Sequence, residues 1–171
     1  MLVHDIINEI GNNPYPVKVK SLDKYYQVWE TPDKNLRIVL SYRTPKNQPT
    51  VLETNFYTGT DQTTELTGTG DQFRILATVA QVYSDNIPKM IKEFQPQTFR
   101  FIAKSSDKGR IKLYTNRGVK LISQILGSQW KFDGVQNIQI EGNPYQLYLW
   151  VNTVKPVNHG PITKIIKRFG F

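Results

Sequence analysis

The chain has 171 residues, 39% of them hydrophobic, a net charge of +8 and no cysteine. That length suits one domain rather than two, and it can bury a core without disulfide or metal staples. The missing cysteine excludes a disulfide framework, a thiol nucleophile and a Cys-based zinc site. No run of about 18 apolar residues is present, which excludes a membrane-spanning helix.

In chain order, Leu2, Val3, Ile6, Ile7 and Ile10 recur at helical spacing, and Gly11-Asn12-Asn13-Pro14 ends the pattern, so residues 2–11 are predicted helical. The same stretch holds Asp5 and Glu9 and no basic residue, so it does not read as a signal peptide. Residues 15–20 alternate and residues 25–30 are aromatic and β-branched, so both are predicted extended. Thr31-Pro32-Asp33-Lys34-Asn35 is a turn, because Pro presets φ and Asp and Asn tolerate tight geometry. Strands are predicted over 36–43 and 50–57, with a second turn at 44–49. This first half reads as an antiparallel meander.

The character then changes. Residues 58–70 are rich in Thr and Gly, and a long helix is predicted from Asp71 to Pro96. Phe73, Leu76, Val79, Ala80, Tyr83, Ile87, Met90, Ile91 and Phe94 share one face, with no phase slip across Pro88. The expectation is one kinked helix. A short strand at 98–103 follows, then a polar loop, then a helix from about Asp107 to Leu126 with Gly127 as its stop. Two closing strands are predicted, at 129–133 and 145–152, joined by a link containing Gly134 and Gly142-Asn143-Pro144. The expected fold class is α/β (α+β): a mixed, mostly antiparallel sheet flanked by helices over residues 1–152, followed by a basic and apolar arm over 153–171.

The junction T-E-L-T-G-T-G-D-Q-F-R at 64–74 is the stretch best suited to chemistry. Gly68 and Gly70 allow close backbone approach, and the helix that follows offers free N–H groups and a positive dipole end, so Gly68, Thr69, Gly70 and Asp71 are candidate ligands for a phosphate or pyrophosphate. A tight strand-to-helix turn capped by Thr69 or Asp71 has the same composition. The stretch is neither the dinucleotide fingerprint nor a P-loop.

The order of elements resembles the GNAT acyltransferase superfamily. That family has an antiparallel meander, a Gly-rich turn into a central helix, a strand, a second helix and two last strands. Its pyrophosphate turn reads Gln/Arg-x-x-Gly-x-Gly/Ala, and Glu65 to Gly70 supplies both glycines with Glu65 in place of Gln or Arg. Its later helix often carries Asn-x-x-Ala-x-x-Leu-Tyr. Here Leu113 and Tyr114 match, while Asp107 and Arg110 replace the Asn and the small Ala that leaves room for the cofactor arm. The resemblance implies acetyl-CoA or another acyl-CoA as cofactor and Tyr114 as general acid for the departing thiolate. A tyrosine on an apolar helix face is also what a core residue looks like. The wording G-T-G-D-x-F-R-x-x-x-T-V followed by R-I-K-L-Y also resembles small proteins of tailed bacteriophages.

The remaining composition points to partners. Residues 99–131 hold eight Lys/Arg against Asp107 alone, and 152–171 hold Lys155, Lys164, Lys167 and Arg168 against no acid. Lys108, Arg110, Lys112, Arg117 and Lys120 therefore form a candidate surface for an anionic partner such as nucleic acid, or else a solvated helix face. In the arm, Ile162, Ile165, Ile166, Phe169 and Phe171 interleave with Lys164, Lys167 and Arg168. Apolar side chains of this kind ask for a docking groove on this subunit or a neighbour. His4 and His159 lie at opposite ends of the chain, so no histidine metal cluster is expected. Because Glu65 and Arg110 disfavour a cofactor, the sequence alone favours a phage protein with a GNAT-like fold, oligomeric or virion-associated, serving as a binding or assembly module without a cofactor. It resides in the host cytoplasm or the virion. The alternatives are an acyl-CoA-dependent N-acyltransferase and a nucleic-acid-binding protein.

Overall fold

Hydrophobic alternation in the first half builds a sheet in which each strand pairs with the next. The computed structural model describes residues 13–33, 35–58, 72–105, 111–112 and 114–154. The strands are β1 (Lys18–Leu22), β2 (Tyr26–Glu30), β3 (Leu36–Arg43) and β4 (Val51–Thr58). Helix α1 (Gln72–Phe94) and β5 (Thr98–Lys104) follow. A π-helical turn, Tyr114–Gly118, leads into α2 (Val119–Leu126), and β6 (Trp130–Ile140) and β7 (Asn143–Asn152) close the sheet.

The seven strands lie in the order β1-β2-β3-β4-β5-β7-β6. Every neighbour pair is antiparallel except β4 and β5, which are parallel and so require the crossover that α1 supplies. One face of the sheet carries Ile38, Leu40, Leu52, Phe56, Phe99, Phe101, Tyr148 and Trp150, and both helices pack there through Ile75, Leu76, Val79, Leu121 and Ile122. The expected helical face of α1 is thus the core face except at Phe73, which is 50% exposed in the first turn, and Pro88 is exposed within one continuous helix. Gln95 closes α1 in the left-handed region (φ 47°), ahead of buried Pro96.

Three expectations are corrected. Residues 15–17 are not strand: Tyr15 stacks under the Arg74 guanidinium (3.9 Å to the ring centre) and its N–H donates to Thr78 Oγ1 at 2.8 Å, so this stretch packs on α1. The second helix is not continuous α-helix, because five residues from Tyr114 form a π turn before α2. Third, β6 does not stop at 133 but runs to Ile140. Gly134 (φ 102°) allows a bulge between Phe132 and Val135, and Glu141-Gly142 (φ 50° and 78°) makes a two-residue turn into β7. The sequence pattern hid this hairpin because Glu is an unusual first residue for a turn that needs positive φ at both positions. No helix of the described residues is long and apolar enough to cross a membrane.

Candidate active site

The parallel seam is where the sheet opens. β4 and β5 pair only from Val51↔Thr98 to Thr54↔Phe101. Asn55–Thr58 pair with β3 but, among the described residues, not with β5. The two strands therefore part at their C-terminal ends, where crevices form in open α/β sheets. At the opening, Asn55 Oδ1 accepts the neighbouring Phe56 N–H at 2.9 Å.

A cavity of about 50 Å³ lies beneath the opening, between the sheet and the helices. Phe56 comes from β4, Phe101 from β5, Tyr148 and Trp150 from β7, Leu76, Val79 and Tyr83 from α1, and Arg117 and Gly118 from the π turn. Such π turns recur at functional sites because they widen the helix locally. The walls are apolar, and the polar atoms are few and placed. The Tyr148 hydroxyl donates to Gln146 Oε1 at 3.2 Å and shares a 3.2 Å hydrogen bond with Thr115 Oγ1 on the π turn. Burial raises the Tyr148 phenol above its ordinary value, with the Thr115 hydroxyl opposing that shift. The Tyr83 hydroxyl is fully buried against Thr54 and makes no well-formed hydrogen bond among the described residues, since the Thr54 hydroxyl donates to Val39 O at 3.0 Å. Burial raises this phenol strongly too.

The opposite face of the seam is ionic. Arg100, 1% exposed, donates through Nε to Glu53 Oε2, and Arg43 Nη2 reaches the same oxygen at 2.8 Å. Burial pulls the Arg100 guanidinium down to about 10 against the opposing pull of Glu53. Glu53 is thus already engaged by two cations.

Of the residues singled out in the sequence, Arg117 lines the cavity and is solvent-exposed, and Lys112 and Lys120 are exposed on the same stretch. Tyr114 opens the π turn, but its side chain lies outside the described residues. So do Gly68, Thr69, Gly70 and Asp71, together with Lys108, Arg110 and the arm residues Ile162, Lys164, Ile165, Ile166, Lys167, Arg168, Phe169 and Phe171. Sequence reasoning missed Tyr83 and Tyr148 as cavity residues. Tyr83 was read as core from its helical phase, and Tyr148 alternates like any strand aromatic. Only the spatial opening of the seam separates them from the rest.

No protein-family model matches this chain, and no curated protein matches it. Solved structures do. One is an acetyltransferase assigned to the GNAT family from Bordetella pertussis (13% identity, TM-score 0.41), with 72% of this chain covered but only 64% of that one, under two thirds of its length. Another is a spermidine N-acetyltransferase chimera from Vibrio cholerae and hSSAT (10% identity, TM-score 0.40), with 77% and 69% covered. A third is a Bacillus subtilis acetyltransferase in complex with CoA (13% identity, TM-score 0.37), with 86% and 82% covered. The fold is GNAT-like. The element order and the single parallel pair in a mostly antiparallel seven-stranded sheet carry that statement, since likeness at these identities and TM-scores says nothing of chemistry. Nothing in this fold or in these matches bears on the resemblance to tailed-phage proteins.

Proposed function

We propose that this chain is an acyl-CoA-dependent N-acyltransferase rather than an assembly module. The observation that carries the reading is the parting of β4 and β5 directly over an apolar cavity walled by two tyrosines. Three features fit a slender thioester ligand. The ladder between β4 and β5 stops at Thr54↔Phe101, which leaves Asn55–Thr58 without a β5 partner among the described residues. Tyr83 presents a buried hydroxyl that makes no well-formed hydrogen bond among the described residues, the kind of group that a ligand carbonyl satisfies. Arg117, Lys112 and Lys120 place cations on the stretch that borders the opening, suited to phosphates.

Bound acyl-CoA would supply an acyl group activated as a thioester. The chain's own residues supply the surroundings. Phe56, Phe101 and Trp150 exclude water. Thr115 and Gln146 hold the Tyr148 hydroxyl in place, and its raised pKa keeps a proton on the phenolic oxygen at neutral pH, ready for a departing thiolate. Tyr148 thereby competes with Tyr114 for the role of acid that the family resemblance gives the latter.

Calorimetric titration with acetyl-CoA tests the reading. Saturable binding is expected, abolished by Gly70→Leu at the strand–helix junction and weakened by Val79→Trp, which fills the cavity. A flat titration of the folded protein would sink it.

A further inference from the structure

The parting of β4 and β5 opens the sheet toward both of its faces. Phe56 reaches the cavity under the helices, whereas Asn55 and Tyr57, its neighbours in β4, alternate to the other face. On that face a groove of about 440 Å³ runs along β2, β3 and β4, lined in part by Tyr26, Ser41, Arg43, Glu53, Asn55 and Tyr57. Among the described residues none from α1 or α2 lines it.

The floor of this groove carries an uneven charge. Glu53 Oε2 accepts from both Arg100 Nε and Arg43 Nη2, so two guanidinium groups share one carboxylate and leave one positive charge in excess. The two cations also oppose each other: burial lowers the Arg100 guanidinium most, and the nearby Arg43 charge lowers it further. Arg43 gives one donor to Glu53 among the described residues, and its side chain is 47% exposed, so the rest of its planar fork remains for a second oxyanion. The groove around it is neutral and rich in hydroxyls. Tyr26 pairs with Ser41 and Ser41 with Glu53, which sets two hydroxyl side chains in one row with the carboxylate. Asn55 Nδ2 donates to the Tyr57 hydroxyl at 3.3 Å, which leaves the phenolic hydrogen for a ligand. Burial, and then the Glu53 charge, raise the Tyr57 phenol above its ordinary value, so it remains a donor at neutral pH.

We propose that this groove receives the acyl acceptor, that the acceptor is a primary amine bearing a carboxylate, and that Arg43 is the residue that selects it. The inference rests on the acyltransferase reading and extends it to the second substrate. Strand spacing sets the separation of the two groups. Asn55, at the opening, lies two residues from Glu53, about 7 Å along β4. A chain of five methylenes between nitrogen and carboxylate covers that distance. A diamine of the same length would bring a second ammonium against the surplus positive charge. The transfer served is the one proposed above. The bond from nitrogen to the carbonyl carbon forms as the carbon–sulfur bond breaks, the sulfur takes the Tyr148 proton, and the surplus proton on nitrogen returns through water to the phenolate.

The test uses the full-length protein and three probes of matched length: ε-aminocaproate, hexylamine and hexamethylenediamine. Each is titrated without acetyl-CoA and followed by NMR. ε-Aminocaproate is expected to bind about 10-fold more tightly than hexylamine, the margin of one charge-assisted pair. Arg43→Gln is expected to remove that margin and to leave hexylamine binding unchanged, and Arg43→Lys, which keeps the charge without the fork, to restore part of it. Equal binding of the two probes, a margin that survives Arg43→Gln, or tightest binding of the diamine would overturn the inference. Release of the CoA thiol from acetyl-CoA separates this inference from the one it rests on. Transfer to hexylamine as efficient as transfer to ε-aminocaproate overturns the acceptor assignment and leaves the acyltransferase standing. A protein that binds no acetyl-CoA yet keeps the Arg43-dependent margin retains the carboxylate site and loses the acyltransferase.

Discussion

At the scale of single residues, two tyrosines in one cavity make opposite predictions. Tyr148 is hydrogen-bonded and lines the buried cavity, where desolvation raises its phenol above its ordinary value. Tyr148→Phe should lower kcat about 10²-fold with little change in KM for the acyl donor, the loss expected of a general acid. Tyr114→Phe, assayed beside it, decides between the two candidates. Tyr83 carries a buried hydroxyl with no well-formed hydrogen bond among the described residues, which costs stability on the order of 1–3 kcal/mol. Tyr83→Phe should therefore raise the melting temperature by a few degrees and weaken acetyl-CoA binding at the same time. A rise in stability with binding unchanged would show that the hydroxyl meets no ligand. Across the seam the ion pairs divide by burial. Glu53→Ala removes the carboxylate that pairs with buried Arg100 and should cost about 3–5 kcal/mol in chemical denaturation. Arg43, with its side chain 47% exposed, forms a screened pair, and Arg43→Ala should cost under about 1 kcal/mol.

At the scale of elements, strong periodicity survived folding and weak punctuation did not. The α1 face was readable because nine apolar positions repeat at one phase, and the meander was readable because Pro32, Asp33 and the 44–49 turn bracket alternating strands. In the folded chain Asp33 accepts from the Thr31 hydroxyl at 2.6 Å and from the Asn35 N–H at 3.1 Å, which is the turn chemistry those residue types imply. The β6–β7 hairpin was missed because its bulge and turn are recorded in φ rather than in hydropathy. Gly142→Ala places a side chain at φ 78° and should destabilise by about 1 kcal/mol, although a Cβ there meets no atom within 4 Å, so the penalty is conformational and not steric crowding. Thermal unfolding of that variant against Gly127→Ala, also at positive φ in open space, checks whether the hairpin or the helix stop is the costlier place to lose glycine. The junction of β1 and β2 was likewise invisible in sequence. Tyr25, Tyr42 and Phe94 stack there at 4.5–6.3 Å and tie the turn to the end of α1.

At the scale of the whole molecule, the same buried phenols set the pH response. Tyr83, Tyr148 and Tyr57 all have pKa values raised chiefly by desolvation. A group whose folded pKa exceeds its unfolded value stabilises the fold fully below the unfolded pKa of about 10 and loses that contribution as pH rises beyond it. The melting temperature should therefore hold through neutral pH and fall above about pH 10, less steeply in Tyr83→Phe. An identical alkaline limb in that variant would show that Tyr83 does not titrate with unfolding. The candidate site itself was only half readable from the chain. Its expected place, a Gly-rich junction leading into a helix, follows from local residue types. Its walls come from six separate elements, α2 included, that no local pattern connects.

The short parallel seam also has a mechanical meaning. Four residue pairs join the β1–β4 half of the sheet to the β5–β7–β6 half, whereas β3 and β4 share eight and β5 and β7 share seven. Within the sheet interior, tension across β4 and β5 would therefore meet fewer paired residues than tension across β3 and β4 or across β5 and β7. Its two halves behave as leaves on a spine, held in alignment by α1 lying across them. A molecule inserted between the leaves at the parted end would bridge strands that share no ladder there among the described residues, and so would stiffen the protein across the seam.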